Sequence, residues 1–99
     1  MRPSPKPDNE TRRLRLDLFL KRSRLVKRRS LAATLCENGY VALNGRPAQP
    51  GRTVREGDRI EVRYARKKLL VQVTGIPGKG GKGEFFRVIR EEPVEEIWD

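Results

Sequence analysis

Ninety-nine residues at 35% hydrophobic content allow one domain with a small core, and a net charge of +10 points to a polyanionic partner. Sixteen of the 23 basic residues are arginine, whose planar forks suit phosphate and base edges better than lysine does. No histidine is present, which removes imidazole acid–base catalysis, Ser-His-Asp triads and most zinc sites, so no catalytic residue, metal or cofactor is expected.

Residues 1–13 contain Pro3, Pro5 and Pro7, show no apolar periodicity and carry a net +2, which reads as a disordered basic extension. They lack the apolar segment of a secretory signal. No run of about 18 apolar residues occurs anywhere, so nothing is expected to span a bilayer, and no long amphipathic basic helix is present to lie on an acidic membrane surface. The single cysteine, Cys36, cannot form an internal disulfide and fits a reducing, cytoplasmic setting.

The stretch from Leu14 to Tyr40 dominates the chain. Between residues 14 and 29, seven basic residues (Arg15, Lys21, Arg22, Arg24, Lys27, Arg28 and Arg29) stand against one acid, Asp17, leaving +6. Leu16, Phe19 and Leu20 recur at helical spacing, and Leu31, Ala32, Leu35 and Cys36 repeat the pattern. This predicts two short helices docked on a small core, with their joint as a cationic ridge. Asp17 is placed to cap the first helix by accepting the N–H of Phe19 or Leu20, and also to aim a neighbouring arginine. Lys27, Arg28 and Arg29 fall near the start of the second helix, where the helix dipole is already positive and each cation costs a few tenths of a kcal/mol. Rules broken this way mark functional surfaces, and a phosphate backbone supplies the compensation. A merely solvated charged face is the alternative, but nothing acidic nearby neutralises the run.

Asn38-Gly39 ends the second helix, and the period then changes to two. Tyr40–Leu43 runs into Asn44-Gly45, a strong hairpin signal, with Arg46–Ala48 as a short return confined to an edge by its prolines. Val54, a turn at Glu56–Asp58 and the alternating strand Arg59–Tyr64 follow, with Ile60, Val62 and Tyr64 on one face. Ala65–Lys68 reads as a basic turn before a strand at Leu69–Thr74. A glycine-rich loop occupies 78–83, a last strand Phe85–Arg90, and residues 91–99 form an acidic end of net −5. The glycine loop is not a nucleotide-binding P-loop, because neither Lys79 nor Lys82 precedes Ser or Thr and a strand follows it. Phe19, Phe85 and Phe86 fall at core positions, so no aromatic stacking platform is expected.

Arg15-Leu16-Asp17 with Leu20, the run from Ala32 to Val41, Asn44-Gly45, and Val54 to Val62 with Gly57-Asp58 together resemble the S4 RNA-binding domain. Within it, residues 15–92 resemble the stand-alone bacterial ribosome-associated quality-control branch (RqcP-like), to which a heat-shock S4 protein is related. The resemblance implies an α+β S4-type fold, with two short helices on a small, mostly antiparallel sheet and a C-terminal β extension. Its organisation would be a basic extension at 1–13, the S4 domain at 14–64, the β extension at 65–92 and an acidic tail at 93–99. The implied role is not enzymatic. The protein would bind obstructed large ribosomal subunits, contact rRNA and peptidyl-site tRNA, and support an RqcH-like partner in C-terminal alanine tailing. It would be a monomer off the ribosome. Carried over by position, the RNA contacts fall on Arg15, Asp17, Arg24, Lys27, Arg28 and Arg29. Arg22 joins them from the charge run, and Asp17 would orient Arg15 and Arg29. The extension and the glycine loop depart from the family pattern. Heat-shock-type recycling of subunits carrying peptidyl-tRNA, or another accessory role on structured RNA, would use the same ridge.

Overall fold

The computed structural model describes residues 13–77 and 84–94. In order, these form β1 (Arg13–Arg15), α1 (Leu16–Arg22), α2 (Arg29–Glu37), β2 (Val41–Leu43), β3 (Arg46–Pro47), β4 (Thr53–Arg55), β5 (Arg59–Arg63), β6 (Lys67–Val73) and β7 (Phe86–Pro93). All strand pairings are antiparallel. A five-stranded sheet runs β3-β2-β5-β6-β7, and β1 pairs with β4 as a separate ribbon. This is the expected α+β S4-type architecture.

The core follows from the apolar spacing. Leu16, Phe19 and Leu20 of α1 are fully buried against Val41, Val54, Ile60, Val62 and Val71 of the strands. Each such side chain contributes about 1.5–3 kcal/mol by leaving water. Helix α2 docks through Ala32 and Cys36, with Leu35 packed at the margin. Leu31, expected on that apolar face, instead points outward at 46% exposure, because a nine-residue helix on so small a core buries only a narrow stripe. The end of α2 follows expectation. Gly39 takes φ +81, its N–H donates to the Cys36 carbonyl and that of Tyr40 to the Leu35 carbonyl, satisfying the last carbonyls in a Schellman arrangement.

Asn44 and Gly45 both have positive φ (52° and 87°), as the two-residue hairpin turn requires. The Asn44 side chain links this hairpin to the next turn. Its amide donates to Asp58 Oδ1 at 3.2 Å and its carbonyl accepts the Arg59 N–H at 2.9 Å. Asp58 Oδ2 in turn accepts the Arg55 N–H at 2.8 Å, and Gly57 supplies the φ of +95° that the turn needs.

Four expectations are corrected. Arg13 belongs to strand β1 and not to an extension, since Arg13-Leu14-Arg15 pairs with Arg55-Val54-Thr53. Asp17 does not cap α1. The cap position is Arg15, with no side-chain cap bond, and Asp17 lies inside the first turn, turned toward arginines. Lys67 and Lys68 lie in β6 and not in a turn, because the ladders to β5 and β7 run on through them, Lys68 opposite Arg63 and Lys67 opposite Pro93. Strand β7 does not stop at Arg90 but runs on through Glu91, Glu92 and Pro93. Residues 1–12, the glycine loop at 78–83 and residues 95–99 lie outside the described residues.

Candidate nucleic-acid interface

Strand β1 passes into α1 without a connecting residue, which fixes Arg15 at the junction. The Leu16 N–H donates to the Arg52 carbonyl at 2.7 Å and the Asp17 N–H to the Pro50 carbonyl at 3.0 Å, seating the junction on the turn before β4. Arg15 lies over Gly51, and a Cβ there would stand 3.7 Å from its guanidinium, an ordinary van der Waals contact.

Asp17, only 4% exposed, is the one buried charged residue among those described. Its carboxylate accepts three bonds from two arginines. Arg15 donates from Nε to Oδ1 at 3.1 Å and from Nη2 to Oδ2 at 3.3 Å, and Arg29 from Nε to Oδ2 at 3.3 Å. Burial works against the charge of Asp17, but the hydrogen bonds and charges of Arg15 and Arg29 outweigh it and hold the carboxyl below the usual carboxylate range. The same contact raises the Arg15 guanidinium above its ordinary value. Both arginine side chains remain about half exposed, at 53% and 49%, so their outer edges face solvent. The two present different groups. Arg15 spends its Nε–Nη2 side on Asp17, whereas Arg29 spends only Nε and its terminal nitrogens bond to none of the described residues.

The joint between the helices is a short plugged loop. Arg24 takes a left-handed φ of 70°, and Leu25 and Val26 then turn into the core. The Tyr64 hydroxyl donates to the Leu25 carbonyl at 2.7 Å, tying the loop to the sheet, and burial pushes the pKa of that phenol above its ordinary value. With the apolar pair buried, Arg24, Lys27 and Arg28 are left exposed and Arg22 half-buried. None of these four forms an ion pair among the described residues. Arg28 is the cap residue of α2 and Arg29 its first residue, with no acid in that first turn. Of the residues singled out in the sequence, the structure brings Arg15, Asp17 and Arg29 into contact and leaves Arg22, Arg24, Lys27 and Arg28 along the adjoining joint.

The sequence reading missed the β1–β4 ribbon. Strand pairing places Arg13, Arg15, Thr53 and Arg55 on its outward face, with Leu14 and Val54 turned to the core. The strict alternation of Arg13-Leu14-Arg15-Leu16 was the available signal. Cys36 is a packing residue. It is buried, and burial first, then the charges of Asp17 and Glu37, pushes its thiol up to about 11.

Three comparisons bear on this geometry. Residues 14–60 match the S4 domain family. The RQC P-site tRNA stabilizing factor of Halalkalibacterium halodurans is 41% identical over 86 residues, covering 84% of this chain and 98% of that one. Its Bacillus subtilis counterpart is 37% identical over the same length, covering 84% of this chain and all of that relative. Among solved structures, the trimeric heat shock protein 15 of Vibrio cholerae superposes with a TM-score of 0.70 at 30% identity, covering 77% of this chain and 81% of that one.

Proposed function

Because this chain belongs to the S4-domain family of RQC P-site tRNA stabilizing factors, we propose that it binds obstructed large ribosomal subunits and steadies the peptidyl-site tRNA there. The names of its full-length relatives, RQC P-site tRNA stabilizing factors, support a ribosome-associated RNA-binding role. The finer assignment is that it bridges rRNA and tRNA and supports an RqcH-like partner in adding alanine tails to stalled chains. The work is binding without chemistry, carried out in the cytoplasm on the ribosome, by a monomer when off it.

The observation that carries this reading is the Asp17 clamp. A buried carboxylate holds two half-exposed guanidiniums side by side at the head of a cationic joint. Fixing the forks beforehand lowers the entropy lost when phosphate binds. Arg15, Arg22, Arg24, Lys27, Arg28 and Arg29 would contact RNA, and Asp17 would set the angle of Arg15 and Arg29. A-form grooves hide base edges, so shape and phosphate contacts dominate. With about five phosphates neutralised, log K should fall against log salt with a slope between about −3.5 and −4.5.

The test is co-sedimentation of Arg15→Ala and Arg29→Ala with ribosomes after circular dichroism confirms folding. Each substitution should weaken binding by about 1.5–3 kcal/mol, more than Arg63→Ala on the exposed side of β5. Undiminished co-sedimentation would mean that another surface is used. The likeness to heat shock protein 15 favours one second reading, recycling of separated subunits that carry peptidyl-tRNA. Gradient profiling separates the two: a tailing factor co-migrates with RqcH-like protein on obstructed subunits, and a recycling factor does not need it.

A further inference from the structure

Beside the cationic joint lies an open cleft of about 540 Å³, lined by Ser23, Thr74, Glu84, Phe85, Phe86 and Arg87. Its volume falls within the range of about 300–1,000 Å³ usual for small-ligand sites. Two features set it apart from an ordinary surface dent. The sequence places Phe85 and Phe86 at core positions, yet both stay half-buried at the core margin, where they line the cleft. The cleft is also continuous with the ridge, since Ser23 lies between Arg22 and Arg24 in the joint.

The lining is held in place. Ser23 Oγ donates to the Leu20 carbonyl at 3.3 Å and accepts the Leu25 N–H at 3.5 Å. The Phe85 carbonyl accepts the N–H groups of Thr74 at 2.8 Å and Gly75 at 3.3 Å, and Arg87 is steadied by Gln72 at 3.1 Å. The Thr74 hydroxyl and Glu84 carboxylate make no side-chain hydrogen bond to other described residues.

We propose that this cleft takes one unstacked nucleobase of the RNA gripped by the ridge, with guanine the best match. The aromatic pair offers the apolar contact on which unpaired bases are recognised. A carboxylate repels phosphate but accepts paired N–H groups, and guanine presents two such donors side by side where adenine does not. Arg87, at the same cleft, supplies the cation for the flanking phosphate. The ridge thereby grips backbone without regard to sequence, and the cleft selects a bulged or looped-out position within it.

The proposal rests on the RNA-binding reading above, and the test separates the two. Hairpin RNAs identical except for one unpaired guanosine, one unpaired adenosine, or no bulge are titrated with the full-length protein across a salt series. The wild type should prefer the guanosine bulge over the fully paired hairpin by about 5-fold or more. Phe85→Leu should abolish the preference, and Glu84→Gln should level guanosine with adenosine, both with the salt slope unchanged. Because Phe85 touches the core, the exposed Thr74→Val and Glu84→Gln variants serve where Phe85→Leu proves unstable, and Thr74→Val should also reduce the preference. Equal binding of bulged and paired hairpins with a full salt slope overturns the cleft and leaves the ridge standing. Failure to bind any hairpin overturns both.

Discussion

Substituting Asp17 by asparagine keeps the shape of the side chain and removes the charge that gathers Arg15 and Arg29. The carboxylate is buried and receives three charge-assisted bonds, each of a kind worth about 1.5–3 kcal/mol. Its partners are half exposed and regain water when released, so most of that gross value is screened away. A net loss of about 1–2 kcal/mol remains, which for a domain of this size lowers Tm by about 4–15 °C. The effect also depends on pH. The folded-state pKa of Asp17 lies below the ordinary 3.8, so its contribution is complete above that value and disappears as pH falls through the folded pKa. Thermal melts of wild type and Asp17→Asn should therefore differ fully at neutral pH and converge as the solution is acidified below 3.8. A gap that stays constant through that acid range would refute the assignment of the stabilising effect to the ionised clamp. At neutral pH the same variant should lose ribosome binding beyond what its stability predicts, because the two forks no longer share an anchor.

Tyr64→Phe removes the donor to the Leu25 carbonyl, and a loss of about 1 kcal/mol is expected in urea melts together with weaker RNA binding through the loosened joint. Gly39→Ala meets no atom within 4 Å yet must adopt a φ of +81°, so calorimetry should record a cost of about 1–2 kcal/mol from backbone strain alone. Cys36, with its thiol pushed to about 11 and packed in the core, should not react with an aromatic disulfide reagent at neutral pH until denaturant is added. Prompt labelling of the native protein would contradict its packing role.

The helix pair and the two tight turns were legible because local chemistry dictates them: apolar residues three and four apart, and glycines where φ must be positive. That Asp17 aims a neighbouring arginine was legible from the charge run, but its pairing with Arg29 only through the family resemblance, since Arg29 reaches Asp17 from 12 residues away. What escaped was non-local. Strand β1 offers three residues of alternation, too few to announce a strand whose partner lies beyond both helices and a hairpin. Lys67, Lys68, Glu91 and Glu92 read as turn and tail because their charges suggested solvent. In the sheet, Lys67 meets Glu91 at 3.8 Å and Lys68 meets Glu61 at 3.4 Å, and this cross-strand pairing cannot be read along the chain. Leu31 was assigned to the core on spacing alone, whereas the width of the buried stripe is set by what α2 packs against.

The seamless passage from β1 into α1 gives the interface a mechanical lever. Arg15 is at once the end of a strand and the cap position of a helix, so a ligand that pulls on its guanidinium loads the ladder between Leu14 and Val54. Occupancy should slow amide exchange along Arg13–Arg15 and Thr53–Arg55, turning an otherwise inconspicuous ribbon into a remote gauge of whether the protein has engaged its target.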